Sequence, residues 1–285
     1  MNSFNQADNV NTATRRIKWL ASYPKSGNTW IRMFLNTYVT HAPININSAF
    51  QIIASDIDPN IFQMMMPRPL SEMTMVEQFM YHNGALLNII KMAKTKDVII
   101  KTHNAKATVE GIPLIPPRIS THSIYIIRDP RDICISAAAH FDITVSDMIP
   151  MLADSRRAGE SEFGLSQMYM SWSDHVNSWT LQNKDVQVTV IQYEKLVTKT
   201  KRTFKLILEV LDINYDEERF NFALNETTFV NLQAKENQDG FNEQRGKQNF
   251  FRVGKLDQWK EILTKEQTDT INKQHKIMMQ HYGYL

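Results

Sequence analysis

Short, largely apolar runs alternate with stretches of helical periodicity along this chain. Ile17 to Ala21 ends at Ser22-Tyr23-Pro24 and has the length of a buried strand. Thr29 to Thr40 then carries Trp30, Phe34, Leu35 and Tyr38 at helical spacing. The plan recurs. Asp97 to Lys101 and Ser123 to Ile127 read as strands, and Asp129-Pro130 after the second suits an N-cap and first helical position, predicting a helix to about His140. Gly164 to Asn183 reads as helical, with Met168, Trp172, Val176 and Trp179 on one face. Val186 to Ile191 predicts a fourth strand ending at Tyr193, and Thr200 to Leu211 an amphipathic helix.

Alternating strands and helices predict an α/β fold: one mainly parallel, P-loop-like sheet covered by helices on both faces, in a single domain over residues 15–285. Ligands of such folds bind outside the carboxyl ends of the strands. Two stretches break the pattern. Residues 44–69 mix Pro, Asn and Asp with three consecutive Met, and residues 235–249 are polar with two glycines. Both are expected to be mobile, as lids, substrate walls or plain surface loops.

Composition narrows the setting. No apolar run approaches the roughly 20 residues of a membrane-spanning helix. Residues 1–14 are polar and read as a loose leader rather than a secretion signal. Cys134 is the only cysteine, which excludes an intrachain disulfide and a Cys-based metal site and suits a reducing, cytoplasmic setting. A net charge of +2, with both signs interspersed, gives no reason to expect nucleic acid. No acidic pair or His cluster calls for a metal.

The most informative stretch is Tyr23-Pro24-Lys25-Ser26-Gly27-Asn28-Thr29-Trp30. A loop between strand and helix presents unpaired N–H groups where the helix dipole favours an anion. Gly27 permits close backbone approach, Lys25 supplies a charge, and Ser26 and Thr29 offer hydroxyls. On these grounds the loop is an anion cradle or an ordinary capped turn. It is not the standard nucleotide P-loop, because the lysine precedes the only glycine instead of following the second.

This loop resembles the 5′-phosphosulfate loop of the sulfotransferases that use 3′-phosphoadenosine 5′-phosphosulfate (PAPS), close to YPKSGTTW, with Asn28 the one departure in type. The resemblance implies that Lys25 meets the transferring group and its bridging oxygen, that residues 26–29 hold the 5′-phosphate, and that Trp30 stacks on adenine. Arg128-Asp129-Pro130-Arg131-Asp132 through Ser136 resembles the family's 3′-phosphate motif, and Arg128 at a strand end can fork two hydrogen bonds to a phosphate. Alone, it would be a helix cap with local ion pairs. Lys101-Thr102-His103 resembles the family's K-[TS]-H element. That implies His103 as catalytic base, with Lys101 and Lys25 stabilising charge on the transferring group and Ser136 restraining Lys25. His140 is the competing base.

Three weaker elements follow in the family's order. Tyr193-Glu194-Lys195-Leu196 resembles the element whose tyrosine reaches adenine. Thr227-Thr228-Phe229 resembles one that closes on the base opposite Trp30. Arg252-Val253-Gly254 resembles the R-[KR]-G element at the 3′-phosphate, but Val253 replaces a basic residue and Asp257-Gln258 stand where Gly-Asp is usual. The expected reaction is sulfo transfer from PAPS, without metal, to a hydroxyl or amine of a small acceptor, leaving adenosine 3′,5′-bisphosphate. The Met-rich segment 61–75 with Phe79 and Tyr81, and Phe141 with Ala137 to Ala139, would give the acceptor an apolar wall. The rivals are an ATP-dependent small-molecule kinase and a non-catalytic nucleotide-binding module.

Overall fold

All four strands predicted from the sequence join one parallel sheet, and a fifth, very short strand joins them. In the computed structural model, which describes residues 15–47, 53–160 and 164–285, the sheet comprises β1 (Arg16–Ser22), β2 (Ala54–Ser55), β3 (Asp97–Thr102), β4 (Ser123–Ile127) and β5 (Val188–Gln192). Their order is β2-β3-β1-β4-β5, so β1 is central. Leu20 pairs with Lys101 on one side and Ile124 on the other. The expected leader lies outside the described residues, as do residues 48–52 of the first insertion.

Side chains alternate across β1. Ile17, Trp19 and Ala21 enter one core, and Leu20 the opposite one. Helix α1 (Asn28–Thr40) packs on the Leu20 side. Helices α2 (Met75–Met92), α3 (Pro130–Phe141) and α4 (Trp172–Trp179) cover the Trp19 side. Helix α5 (Thr200–Val210) returns to the Leu20 side. Helix α6 (Phe229–Asp239) follows, joined to Thr228 by its cap. Both faces are covered, which explains why the strands read as apolar runs.

One expectation needs correction. The helix read over 164–183 is only α4. Ser166–Met168 pairs antiparallel with Ala158–Glu160, Met170 turns the chain at φ 57°, and Ser171 caps α4 by accepting from the Asp174 amide. The Ser-x-x-Asp cap sets the boundary, and the helical spacing of Met168 is coincidental. Parts of the two irregular segments pack into the fold. Ala54–Ser55 form β2, and Ile44, Ile46, Ile57 and Phe62 are buried. Residues 235–239 belong to α6, and Phe241 and Glu243 beyond it are buried.

Candidate active site

A cavity of about 470 Å³ opens at the carboxyl ends of β1, β3, β4 and β5. Lys25 follows β1, His103 follows β3, Arg128 follows β4 and Tyr193 follows β5, and all four line it. The loop after β1 is bent sharply. Lys25 has φ 66° and Gly27, the N-cap of α1, has φ 98°. A Cβ on Gly27 would lie 2.5 Å from the Tyr193 ring, so both the backbone angle and the close approach require glycine. No side chain caps α1, so the dipole end of its first turn is left to whatever the cavity holds. Asn28 staples the loop to the strand by donating to the Leu20 carbonyl at 2.9 Å.

Two guanidinium groups meet at the opposite wall. Arg128 donates to the Lys25 carbonyl at 3.0 Å, lies over the Tyr193 ring at 4.3 Å and faces Asp132 at 3.8 Å. Its Nε is buried without a hydrogen-bond partner among the described residues. Arg252 donates to Gln258 at 3.2 Å. Burial, and then the Arg128 charge, hold Arg252 below the ordinary arginine range. Two cations whose fields oppose one another are favourable only where an anion can share them. Gly254 has φ 67°, and a Cβ there would meet the Phe229 ring at 2.5 Å. Asp257 has φ 59°, which explains why glycine suits that position. Val253 is partly exposed and supplies no charge.

His103 is oriented by the end of β1. Its Nδ1 lies 2.8 Å from the Ser22 carbonyl and 3.2 Å from the Ser22 hydroxyl. A carbonyl only accepts, so Nδ1 carries the proton and Nε2 the lone pair. The loop behind it is held firmly. The buried Asp56 carboxylate accepts from Thr102 at 2.5 Å and from Asn104 at 2.8 Å, and Trp179 donates to the Asn104 carbonyl at 2.9 Å.

Gly27, Asn28, Thr29, Trp30, Ser136, Thr228, Phe229, Arg252, Val253 and Gly254 also line the cavity. Trp30 does so while donating to the Thr227 carbonyl at 2.8 Å and packing edge-on against Phe204. Three expected residues sit differently. Ser26 does not line the cavity; its Oγ is buried beneath the loop without a hydrogen-bond partner among the described residues. Lys101 is also absent from the lining, being 2% exposed between β1 and β2. Thr29 lines the cavity, but its hydroxyl donates to Glu243 at 3.1 Å and accepts from Arg32 at 3.0 Å. Arg32 and Glu243 form a buried ion pair at 2.7 Å.

The Met-rich segment also sits elsewhere. Phe62, Met66 and Met73 pack in a satellite core with Ile57, Ala85 and Leu165, and neither they nor Phe79 line the cavity. Ala137 and Ala138 belong to the main core. The wall beside His103 is formed instead by His140, Phe141, Gln167, Tyr169, Arg245 and Phe250, with Lys25 3.4 Å from the Phe250 ring centre. Of these, the sequence pointed to His140 and Phe141 by residue, and to Arg245 only through the segment 235–249. The others come from the short hairpin and the segment after α6, which carry no local pattern.

Residues 16–283 match the model of the family described as sulfotransferase domain. Mouse sulfotransferase 1B1 is 24% identical over 269 residues, covering 91% of this chain and 81% of the relative. Rat sulfotransferase 1C2 is 23% identical, covering 91% and 82%. Mouse sulfotransferase SULT7A1, solved with PAP, superposes with a TM-score of 0.60 at 19% identity, covering 93% of this chain and 84% of that one. Retinol dehydratase, solved with androsterone and the inactive cofactor PAP, superposes with a TM-score of 0.60 at 17% identity, covering 96% and 84%.

Proposed function

The chain belongs to the sulfotransferase family, and on that premise we propose that it transfers the sulfo group of PAPS to a hydroxyl of a small aromatic or apolar acceptor, with His103 as general base. The observation that carries this reading is that Lys25, His103 and Arg128, from three different strand tips, line one cavity. The chain's residues fit the donor. Gly27 and Gly254 let the Tyr193 and Phe229 rings of the lining pack closely on the backbone, and Arg128 Nε is a buried donor lacking a hydrogen-bond partner among the described residues. The two fold relatives crystallised with PAP support the same nucleotide here.

PAPS supplies the sulfo group and, in its phosphate, the leaving group. The first turn of α1 and the backbone of residues 26–29 hold the 5′-phosphate. Arg128, Arg252 and Ser136 hold the 3′-phosphate, which separates this donor from ATP. Trp30, Phe229 and Tyr193 enclose the adenine. Lys25 neutralises charge at the bridging oxygen. Because Lys101 does not line the cavity, contact with the transferring group is assigned to Lys25 alone. His103 Nε2 takes the acceptor's proton as attack proceeds, and the Ser22 carbonyl stabilises the resulting imidazolium at Nδ1. Alignment of the two oxygens, rather than covalent chemistry by the protein, provides the larger share of the rate.

Thermal stabilisation by adenosine 3′,5′-bisphosphate and by ATP, each without metal and with magnesium, tests the proposal. At a hundredfold excess over Kd the bisphosphate is expected to add about 2.7 kcal/mol, a rise of roughly 4–5 °C for this chain length. A preference for ATP with magnesium would transfer the assignment to a kinase.

A further inference from the structure

Gln167 holds an unused pair of hydrogen-bond donors at the wall of the cavity. The residue is fully buried and lines the cavity beside His103. Its Oε1 accepts from the Tyr169 hydroxyl at 3.1 Å, while its Nε2 has no hydrogen-bond partner among the described residues. A buried amide left unpaired costs about 1–3 kcal/mol, so a site that keeps one has a ligand atom to satisfy it, or bears that cost for nothing.

The backbone fixes where this amide sits. Ser166 N–H donates to Gln78 at 2.8 Å and Met168 N–H to Asn104 at 2.8 Å. The Ala105 amide donates to the Met168 carbonyl at 2.7 Å. The strand carrying Gln167 therefore runs beside residues 104–105, immediately after His103. The surrounding walls are aromatic, with Phe141, Tyr169 and Phe250 close by and the buried Arg157 5.2 Å from the Tyr169 ring.

We propose that Gln167 is a specificity-determining residue whose carboxamide N–H reads a second oxygen on the acceptor, so that the enzyme selects hydroxylated aromatic compounds carrying a hydrogen-bond-accepting oxygen besides the hydroxyl that is sulfated. The inference rests on the sulfo-transfer reading and deepens it by naming the acceptor class. An apolar group of the same size, placed there, leaves the amide unpaired, and sites built to hydrogen-bond a substrate discriminate strongly against analogues lacking the partner.

Isosteric pairs test it: 2-, 3- and 4-methoxyphenol against 2-, 3- and 4-ethylphenol, with labelled donor. At one ring position or more, wild type is expected to prefer methoxy over ethyl in kcat/KM by about ten- to a hundredfold. Gln167→Leu, which removes the donor, is expected to abolish that ratio. Gln167→Glu, which keeps an oxygen for Tyr169 and replaces the N–H donors by an accepting carboxylate oxygen, is expected to abolish it too and provides a second variant of nearly the same shape. Stabilisation by the bisphosphate is measured alongside and is expected to match wild type in both. A wild type with no methoxy preference, a preference that survives in both variants, or no transfer to any phenol with bisphosphate binding intact would overturn the inference. Loss of bisphosphate binding in wild type would instead sink the donor reading beneath it.

Discussion

Replacing Gly27 by alanine isolates what the loop after β1 contributes. The new methyl would meet Tyr193 Cδ2 at 2.5 Å and Cε2 at 2.9 Å. Ordinary contact begins near 3.4 Å, so the ring must retreat by about 1 Å. That ring supports the Arg128 guanidinium 4.3 Å away, which in turn holds the Lys25 carbonyl. Independently, φ of 98° costs an L-residue about 1–2 kcal/mol. Backbone strain alone should lower Tm by about 2–4 °C for a chain of this length. Displacement of Tyr193 should weaken adenosine 3′,5′-bisphosphate by tenfold or more, read by calorimetric titration. Combining Gly27→Ala with Tyr193→Ala separates the two causes: the clash vanishes while the angle remains, so the double variant should lose less affinity than the sum of the singles. If Gly27→Ala bound the bisphosphate as wild type does, the tight coupling of loop, Tyr193 and Arg128 would be refuted.

The other predictions can be stated together. His103→Ala should retain bisphosphate binding and lose about a hundredfold or more in kcat, and near-normal turnover in a sulfo-transfer assay would move the base to His140. Arg32→Ala strands the buried Glu243 carboxylate and should cost about 3–5 kcal/mol in urea unfolding, whereas a loss below about 1 kcal/mol would mean the pair is solvated. His175 and His275 are each lowered to about 4, chiefly by burial. The folded state keeps them neutral while the unfolded chain takes up their protons below about 6.5, so their contribution is complete above that pH and lost as pH falls toward 4. Unfolding free energy should therefore drop between pH 6.5 and 4.5, and a flat profile would show that both rings reach water.

Much of the fold was legible because its strands are buried on both faces and its helices open on local signals. Asp129-Pro130 marked the start of α3 correctly. Strand β2 was not legible: two residues inside a Pro- and Asn-rich stretch have no periodicity, and only pairing with Ile100 and Lys101 makes them a strand. Helix α2 announces itself through Thr74 and Glu77, a full capping box, a signal the periodic reading passed over. In the cavity lining, Lys25, His103 and Arg128 could be pointed to from the sequence because each strand-tip loop carries its own local pattern. Lys101 and His103 differ in setting for a physical reason: Lys101 is still inside the paired strand, with β1 and β2 on either side, whereas His103 lies beyond the last pairing. Phe250 and Gln167 reach the cavity through tertiary contacts that leave no trace in nearby sequence, whereas Glu243 lies in the polar segment 235–249 that the sequence singled out without naming a residue.

The stretch from Glu243 to Gly254 spans both ends of the cavity. Glu243 is ion-paired into α1, Phe250 lies against Lys25, and Arg252 and Gly254 line the cavity at the end where the proposed function puts the nucleotide. A substitution there that widens the acceptor wall will also move the nucleotide grip, so changes of substrate through this stretch carry a penalty in donor affinity. The short hairpin of Ala158–Glu160 and Ser166–Met168 is tied to that stretch by Arg245, which donates to the Glu160 carbonyl at 3.4 Å. Under the proposed roles, a change of acceptor wall on this hairpin reaches the donor half through that bond and through Arg157, which donates to the Tyr23 hydroxyl at 2.9 Å just ahead of Lys25.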